Sequence, residues 1–346
     1  MSFDAILVVS FGGPEGPDDV IPFLQNVVRG RGVPDDRLAK VADQYHRFGG
    51  VSPINTENRR LVTNLRAALA RRDMELPVYW GNRNWYPLLE EAIAEMRDDG
   101  VESAAAFVTS AYSSYSSCRQ YIEDIDSSRE KVGPGAPHIV KLRPFFNHPG
   151  FVEPLADGLR DALKDHPNSA VLMTAHSIPK AMADASDYER QLRDVGSVVA
   201  ELAGLAGREA WQLVFQSRSG PPGHLWLEPD INDAINDLPD GGQGVIVVPI
   251  GFVSDHMEVV HDLDLVAAET ARRRRLALTR TPTPGDDPRF VEMIIDLALE
   301  AGSELSRVRG ENPRANPLAN APEARAIGSL GPRVFPCLPG CCPPHG

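Results

Sequence analysis

The chain has 346 residues, of which 42% are hydrophobic and 24% are charged, and its formal net charge is −13 at pH 7. This length suffices for two domains with separate cores, and the acidic balance argues against nucleic acid and anionic membrane as general partners. No stretch reaches the roughly 18 apolar residues of a membrane span and the amino terminus has no secretory signal, so we expect a cytoplasmic protein.

The first half of the chain alternates strand patterns with helix patterns. Apolar, β-branched runs predict buried strands at residues 4–10, 77–80, 103–109 and 138–142. Amphipathic periodicity predicts helices between them, at residues 35–48, 56–72 and 88–98. This order is typical of an α/β fold with a parallel sheet.

The second half repeats the pattern of the first. Residues 170–179 are similar to the opening strand and its turn, and residues 247–252 are similar to residues 106–112. We therefore predict two similar Rossmann-like domains, each a parallel sheet flanked by helices. The predicted boundaries are 1–150 and 151–306, and the last helix can pack back on the first domain. Residues 307–346 are predicted to form an irregular, proline-rich tail.

One strand–turn–helix segment carries a concentration of polar residues. After the apolar run 245–250, Asp255, Glu258 and Asp262 recur at helical spacing, with His256 among them. Carboxylates and imidazoles in one line can receive a divalent metal, whereas acidic residues near a helix start are also typical of a solvated face. His176 follows another predicted strand, where a histidine is more often structural. If both strands belong to one parallel sheet, these side chains meet at its carboxyl edge.

The four cysteines are unevenly distributed. Cys337, Cys341 and Cys342 lie in the last ten residues, and Cys118 is far away in the sequence. A reducing compartment disfavours structural disulfides, so the terminal cysteines indicate metal or cluster ligation.

Six short motifs, in a fixed order along nearly the whole chain, identify a family resemblance. They are Ser-Phe-Gly-Gly-Pro-Glu (10–15), Gly-Gly-Val-Ser-Pro-Ile-Asn (49–55), Ser-Ser-Cys-Arg-Gln-Tyr (116–121), Thr-Ala-His-Ser-Ile-Pro (174–179), Phe-Gln-Ser-Arg-Ser-Gly-Pro-Pro (215–222) and Gly-Phe-Val-Ser-Asp-His-Met-Glu (251–258). Together they resemble ferrochelatases, which implies chelatase-type domains and an enzyme that inserts Fe²⁺ into a porphyrin. The tail is similar to that of the coproporphyrin III ferrochelatases of high-GC Gram-positive bacteria, which carry a [2Fe-2S] cluster.

The resemblance assigns the central chemistry to two side chains. It implies that His176 and Glu258 are catalytic and bind Fe²⁺, with Asp255 and His256 as close support and Asp262 on the delivery face. Insertion removes two pyrrole protons, and a neutral imidazole can accept a proton or ligate the metal near pH 7. We expect the carboxylate on the opposite side of the ring from the imidazole, where it can carry metal in or a proton out.

Porphyrin binding is assigned less directly. The resemblance implies that Ser52 and Tyr121 bind the porphyrin, and Phe11 stands where some family members carry a metal-touching tyrosine, so any such role is absent here. From charge and aromatic character we add candidates for meeting propionates and for packing on the ring. The propionate candidates are Arg29, Arg31, Arg47 and Arg119, and the ring-packing candidates are Phe11, Tyr112 and Trp226.

The resemblance also implies that Cys118, Cys337, Cys341 and Cys342 hold the [2Fe-2S] cluster, which requires a sharp turn at 341–342 and a tail that folds back to Cys118. A tail that binds zinc or nothing is the alternative. For the function, the alternatives are a protoporphyrin IX ferrochelatase, a chelatase for cobalt or nickel and another tetrapyrrole, and a non-enzymatic haem or iron carrier. We expect coproporphyrin III and ferrous iron as partners, transient contact with neighbouring haem-pathway enzymes, and a monomer.

Overall fold

The chain folds around two four-stranded parallel sheets. The computed structural model of the protein describes residues 3–30, 32–205, 210–220, 223–242, 244–308, 324–333, 337 and 340–344. Arg31, a predicted propionate contact, lies outside these residues. Among the described residues, no helix has the length and apolar character needed to cross a membrane.

The first sheet has the strand order β2–β1–β3–β4. Its strands are β1 (Ala5–Ser10), β2 (Val78–Asn82), β3 (Ser103–Val108) and β4 (His138–Lys141). Val8 pairs with Trp80 on one side and with Phe107 on the other. Every residue of β1 and β3 is buried, because helices cover both faces of the sheet.

The second sheet has the order β6–β5–β7–β8, which is the same topology. Its strands are β5 (Ala170–His176), β6 (Trp211–Gln216), β7 (Gly244–Val248) and β8 (Ala277–Arg280). The central strand β5 is therefore equivalent to β1, and β7 is equivalent to β3. These are the pairs whose sequences are similar, and the predicted two-sheet α/β fold is confirmed.

The helices lie mainly on the faces of the sheets. They are α1 (Val20–Val27), α2 (Asp35–His46), α3 (Ile54–Arg71), α4 (Leu89–Asp98), α5 (Gln120–Val132), α6 (Pro149–Asp165), α7 (Lys180–Asp184), α8 (Tyr188–Ala203), α9 (Ile231–Asn236), α10 (Met257–Val259), α11 (Ala268–Arg273) and α12 (Pro288–Val308). Two π-helical segments join this set: Tyr115–Arg119 runs into α5, and Val260–Ala267 connects α10 to α11. Short π-helical segments within helices are frequent at functional sites.

The two sheets share one buried core. A single cluster of contacting apolar side chains contains Ile6 from β1 and Met173 from β5. Helix α12 packs on both α6 and α3, and Arg72, the residue after α3, bonds Glu292 at 2.5 Å and Asp296 at 3.1 Å. The packing of the last helix on the first domain stays a prediction, which these contacts support. The domain boundary near residue 150 separates the two sheets and remains a prediction.

Residues 324–333 of the tail are irregular, and hydrogen bonds attach them to the rest of the chain. The Ile327 amide donates to the Asn147 carbonyl at 2.9 Å, and Arg143 Nη2 donates to the Arg325 carbonyl at 3.0 Å. Further along, the Ser329 amide and hydroxyl donate to Asp194 Oδ1 on α8 at 2.9 and 2.6 Å. The tail thus crosses from the linker between the sheets to the second domain.

Candidate active site

The predicted catalytic side chains lie at the carboxyl edge of the second sheet. His176 is the last residue of β5, and Glu258 lies in the first turn after the β7 loop. β5 and β7 are neighbours in the sheet, so parallel pairing brings both loops to one edge. The structure therefore places together two residues that are 82 positions apart.

His176 and Glu258 are in direct contact. His176 Nε2 lies 3.3 Å from Glu258 Oε1, while Nδ1 lies 2.5 Å from the Ser177 carbonyl oxygen. Both side chains remain partly exposed, with exposed fractions of 30% and 48%. A flat ring inserted between the two side chains would require them to be about 7 Å apart, which is twice the roughly 3.5 Å contact distance of carbon atoms. The expectation of an acid and an imidazole on opposing sides of the ring is therefore wrong, because the two groups share one side.

The contact shifts the pKa of both groups. Burial alone would lower the pKa of His176, but the charge and hydrogen bond of Glu258 outweigh it and raise the pKa to about 8. Burial alone would raise the pKa of Glu258, but His176 outweighs it and lowers the pKa to about 2. At neutral pH and without substrate, the pair is an imidazolium and a carboxylate.

The backbone of Glu258 is fixed from two sides. Gln216, at the end of β6, donates its side-chain amide to the Glu258 carbonyl, and Thr174 donates its hydroxyl to the side-chain carbonyl of Gln216. His256 Nδ1 accepts the Glu258 amide proton at 3.2 Å and so caps α10. His256 therefore holds the Glu258 backbone in place, and its supporting role in the chemistry stays a prediction.

Asp262 lies one turn beyond Glu258, in the π-helical segment. It accepts the Ser217 hydroxyl, and its other oxygen lies 2.8 Å from His261 Nδ1. The charges of Glu258 and Asp262 both act on His176. These contacts place Asp262 in the same electrostatic field as the His176–Glu258 pair.

Asp255 does not extend this row of acidic groups. It lies before α10, where Arg280 Nη2 donates to its Oδ2 at 2.9 Å and Thr283 donates to its Oδ1 at 3.1 Å. Arg280 also bonds Asp264 at 2.6 Å. The helix begins only at Met257, so Asp255 lies outside it, and the predicted single face of three carboxylates is wrong. Asp255 supports the loop through Arg280.

A group of first-domain side chains lies near enough to Glu258 for its charge to act on one of them, Tyr121. Phe11 follows β1 and is 37% exposed, and the Arg83 guanidinium lies 5.9 Å from its ring and 4.4 Å from the Tyr121 ring. Arg83 is itself nearly buried and pairs with Asp124. Burial raises the pKa of Tyr121, opposed by the charge of Arg83, and Glu258 also acts on this group. Phe11 and Tyr121 therefore both contact Arg83, a candidate site residue that the sequence prediction missed.

Other predicted residues have varied surroundings. Ser52 is buried, and its amide bonds the Pro14 carbonyl at 2.9 Å, next to the glycine turn after β1. Arg47 is exposed at the end of α2. Trp226 is half-buried and packs against Gly220, where an added Cβ would lie 2.3 Å from the indole. Tyr112 is 2% exposed and donates to the Ile250 carbonyl at 2.8 Å, so its predicted packing on the porphyrin is wrong.

The four cysteines converge. Interactions with the thiols of Cys337 and Cys342 lower the pKa of Cys118, and Cys341 Sγ lies 3.6 Å from Cys342 Sγ. Cys342 has a left-handed backbone with φ of 54°, which is the sharp turn that the adjacent cysteines require. The described residues contain no group of three or more His, Cys, Asp or Glu side chains placed to hold a metal ion. In a [2Fe-2S] cluster, however, the thiolates are divided in pairs between two irons.

Comparison with known proteins decides the family. The model of the ferrochelatase family matches residues 3–301. The chain belongs to the ferrochelatase family. It is therefore an enzyme, a lyase that inserts iron into a porphyrin. This finding agrees with the motifs and with an open His176–Glu258 pair at a sheet edge.

Similar ferrochelatases extend over the full chain. The ferrochelatase of Rhodopirellula baltica is 46% identical, with 98% of this chain and 93% of that protein covered. The coproporphyrin III ferrochelatase of Mycolicibacterium smegmatis is 47% identical, with 99% of each chain covered, and that of Streptomyces griseus is 47% identical over 99% and 93%.

Solved chelatases share the fold. The sirohydrochlorin chelatase SirB of Bacillus subtilis subspecies spizizenii, in complex with cobalt, has a TM-score of 0.54 and 11% identity, covering 89% of this chain and 98% of that one. SirB from Bacillus subtilis with Fe³⁺ has a TM-score of 0.53 and 12% identity, covering the same shares. At this identity the likeness concerns the fold alone.

Proposed function

We propose that this ferrochelatase inserts Fe²⁺ into coproporphyrin III, giving Fe-coproporphyrin III and two protons, as a step of haem biosynthesis. The observation that carries the proposal is the contact of His176 and Glu258 at 3.3 Å, with both side chains partly exposed and the charge of Glu258 acting on Tyr121 of the first domain. The substrate is supported by full-length relatives at 47% identity that are named coproporphyrin III ferrochelatases.

His176 binds metal or accepts a proton at Nε2 only in its neutral form, so the imidazolium of the substrate-free pair must first release its Nε2 proton. Its Nδ1 is held by the Ser177 carbonyl at 2.5 Å, so in the neutral tautomer Nδ1 carries the proton and Nε2 has the lone pair. Glu258 supplies an oxygen ligand beside that nitrogen and compensates positive charge there. Because both groups lie on one side, we propose that metal and protons are exchanged through one face of the ring.

The porphyrin occupies the space between the His176–Glu258 pair and these first-domain side chains. One face meets His176 and Glu258, and the other meets the ring of Phe11, which is backed by the Arg83 guanidinium. Ser52 and Tyr121 remain proposed porphyrin-binding residues, supported by their place beside the glycine turn and beside Arg83. Trp226 remains a proposed neighbour of the ring.

Basic residues in the first domain are the candidates for binding the propionates of the porphyrin. Arg47 is exposed, whereas Arg119 already bonds Glu123 at 3.2 Å and Arg29 bonds Asn26 at 2.5 Å. We propose Arg47 as a propionate contact, and Arg31 stays a sequence prediction. An arginine can bind a carboxylate through two parallel hydrogen bonds, which suits a substrate with several propionates in an acidic protein.

Anaerobic incubation with Fe²⁺ and each porphyrin tests the proposal. Coproporphyrin III and protoporphyrin IX are compared side by side, and metalloporphyrin is followed by its absorption. We expect many equivalents of Fe-coproporphyrin III per protein and a lower kcat/KM for protoporphyrin IX. A preference for protoporphyrin IX would overturn the substrate assignment, and at most one equivalent of product would indicate a carrier. Co²⁺ and Ni²⁺ are included to test the alternative metals.

We further propose that Cys118, Cys337, Cys341 and Cys342 hold a [2Fe-2S] cluster. The four thiols fit because they converge from two distant segments, with the turn that adjacent ligands need. Lys141 and Arg333 lie near the thiols and would compensate the charge of four thiolates. When bound, such a cluster supplies a crosslink between the tail and the π-helical segment before α5; iron insertion is redox-neutral and needs no electron from it. A cytoplasmic location, a monomeric state and contact with neighbouring haem-pathway enzymes stay predictions from the sequence.

A further inference from the structure

A buried hydroxyl contacts the backbone of the catalytic histidine. Tyr188, the first residue of α8, donates its hydroxyl to the His176 carbonyl at 3.0 Å, and its side chain is 4% exposed. His176 is where the chain leaves β5, so this bond fixes the point from which the imidazole projects. Tyr188 packs edge-on against the core residue Tyr112, with ring centroids 5.9 Å apart.

The tail reaches the residue next to Tyr188. Arg333 Nη1 lies 2.5 Å from Asp187 Oδ2, while Arg190 of the same helix pairs with the other oxygen at 2.7 Å. Arg333 Nη2 also lies 3.9 Å from Cys341 Sγ. One guanidinium therefore joins the cysteine group of the tail to the start of α8.

A second contact fixes the same helix. The Ser113 amide donates to Gln191 Oε1 at 2.8 Å, and Gln191 Nε2 donates to the Ser113 hydroxyl at 2.9 Å. Ser113 lies in the loop that leads into the π-helical segment of Cys118. The first turn of α8 is thus held by both segments that carry cysteines, and it holds His176 in turn.

We propose that Tyr188 is a positioning residue for His176 and that Arg333 couples the attachment of the tail to it. The inference rests on the proposed function, because it requires His176 to act on the porphyrin. The reacting geometry is sensitive to small displacements, so loosening the histidine backbone lowers the rate of insertion more than porphyrin binding.

Kinetics of four variants test the coupling. Tyr188→Phe keeps the buried ring and removes the hydroxyl, and we expect kcat to fall about fivefold, the effect of one hydrogen bond, with KM for the porphyrin within about twofold. Arg333→Gln should lower kcat in the same way, Arg333→Lys should restore most of it, and the double variant Tyr188→Phe/Arg333→Gln should be no slower than Tyr188→Phe. The matched control is Arg325→Gln, which removes a tail ion pair with Asp296 (3.4 Å) and leaves α8 untouched.

Amide hydrogen exchange gives a readout independent of activity. We expect faster exchange of residues 174–178 in Tyr188→Phe and Arg333→Gln, and no change in Arg325→Gln. Unchanged kcat and exchange in Tyr188→Phe, or additive effects in the double variant, would overturn the inference. If Tyr188→Phe does not fold, the variants Arg333→Gln and Arg333→Lys test the coupling between the tail and His176 instead, because Arg333 is only half-buried. A wild-type protein without turnover would overturn the proposed function itself, an outcome distinct from an active wild type with insensitive variants.

Discussion

His176→Ala is expected to lower iron insertion by at least about a thousandfold. The variant removes both the proton acceptor and the nitrogen ligand, and general acid–base catalysis alone contributes typically a hundredfold to ten-thousandfold. Porphyrin binding should persist, because the proposed ring contacts Phe11 and Tyr121 lie on the first domain and do not depend on the imidazole. Anaerobic turnover and porphyrin titration by fluorescence measure the two effects separately.

The matched control for this variant is His166→Ala. His166 follows α6 and precedes β5, so it lies at the end of the strand opposite to His176. We expect wild-type turnover from it. Turnover by His176→Ala within about tenfold of wild type would remove His176 from the chemistry, and loss of porphyrin binding would mean that the imidazole serves to bind the ring.

Cys341→Ser is expected to abolish the visible absorption of the purified protein. Cys118, Cys337, Cys341 and Cys342 are the only cysteines in the chain, so no spare thiol can replace a lost ligand. Protein made under iron-replete, anaerobic conditions should be reddish, and the variant should be colourless and less stable to heat, because metal binding couples to folding. Absorption spectra, iron analysis and thermal unfolding measure these changes.

Ser116→Ala is the control for the cysteine variant, since Ser116 belongs to the same π-helical segment as Cys118 but carries no thiol. It should keep colour and iron. Colourless, iron-free wild-type protein would reject the cluster, and one equivalent of zinc in its place would support the zinc alternative.

Most of the fold and the position of the site could be predicted from the strands and from the polar residues that follow them. Buried strands in a parallel sheet are continuous apolar runs, and the polar residues that follow them lie at one edge. This reasoning places His176 and Glu258 together before any coordinates are known, and the similarity of β1 to β5 and of β3 to β7 predicts the repeated topology. Arg83, the residue after β2, could have been found by the same rule.

The local geometry of the site could not be predicted in this way. The spacing of Asp255, Glu258 and Asp262 places them on one face only in a regular α-helix. In the structure the helix starts at Met257 and continues as a π-helix from Val260. No residue pattern indicated that change or the capture of Asp255 by Arg280. That an acid and an imidazole share one side of the proposed porphyrin site depends on side-chain directions, which sequence spacing does not contain.

A crystal structure with bound coproporphyrin III tests the central claim most directly. We predict the ring between the two domains, with His176 Nε2 and the Glu258 carboxylate facing its nitrogens from the same side and Phe11 against the other face. A ring bound elsewhere, or one inserted between His176 and Glu258, would contradict the proposed site.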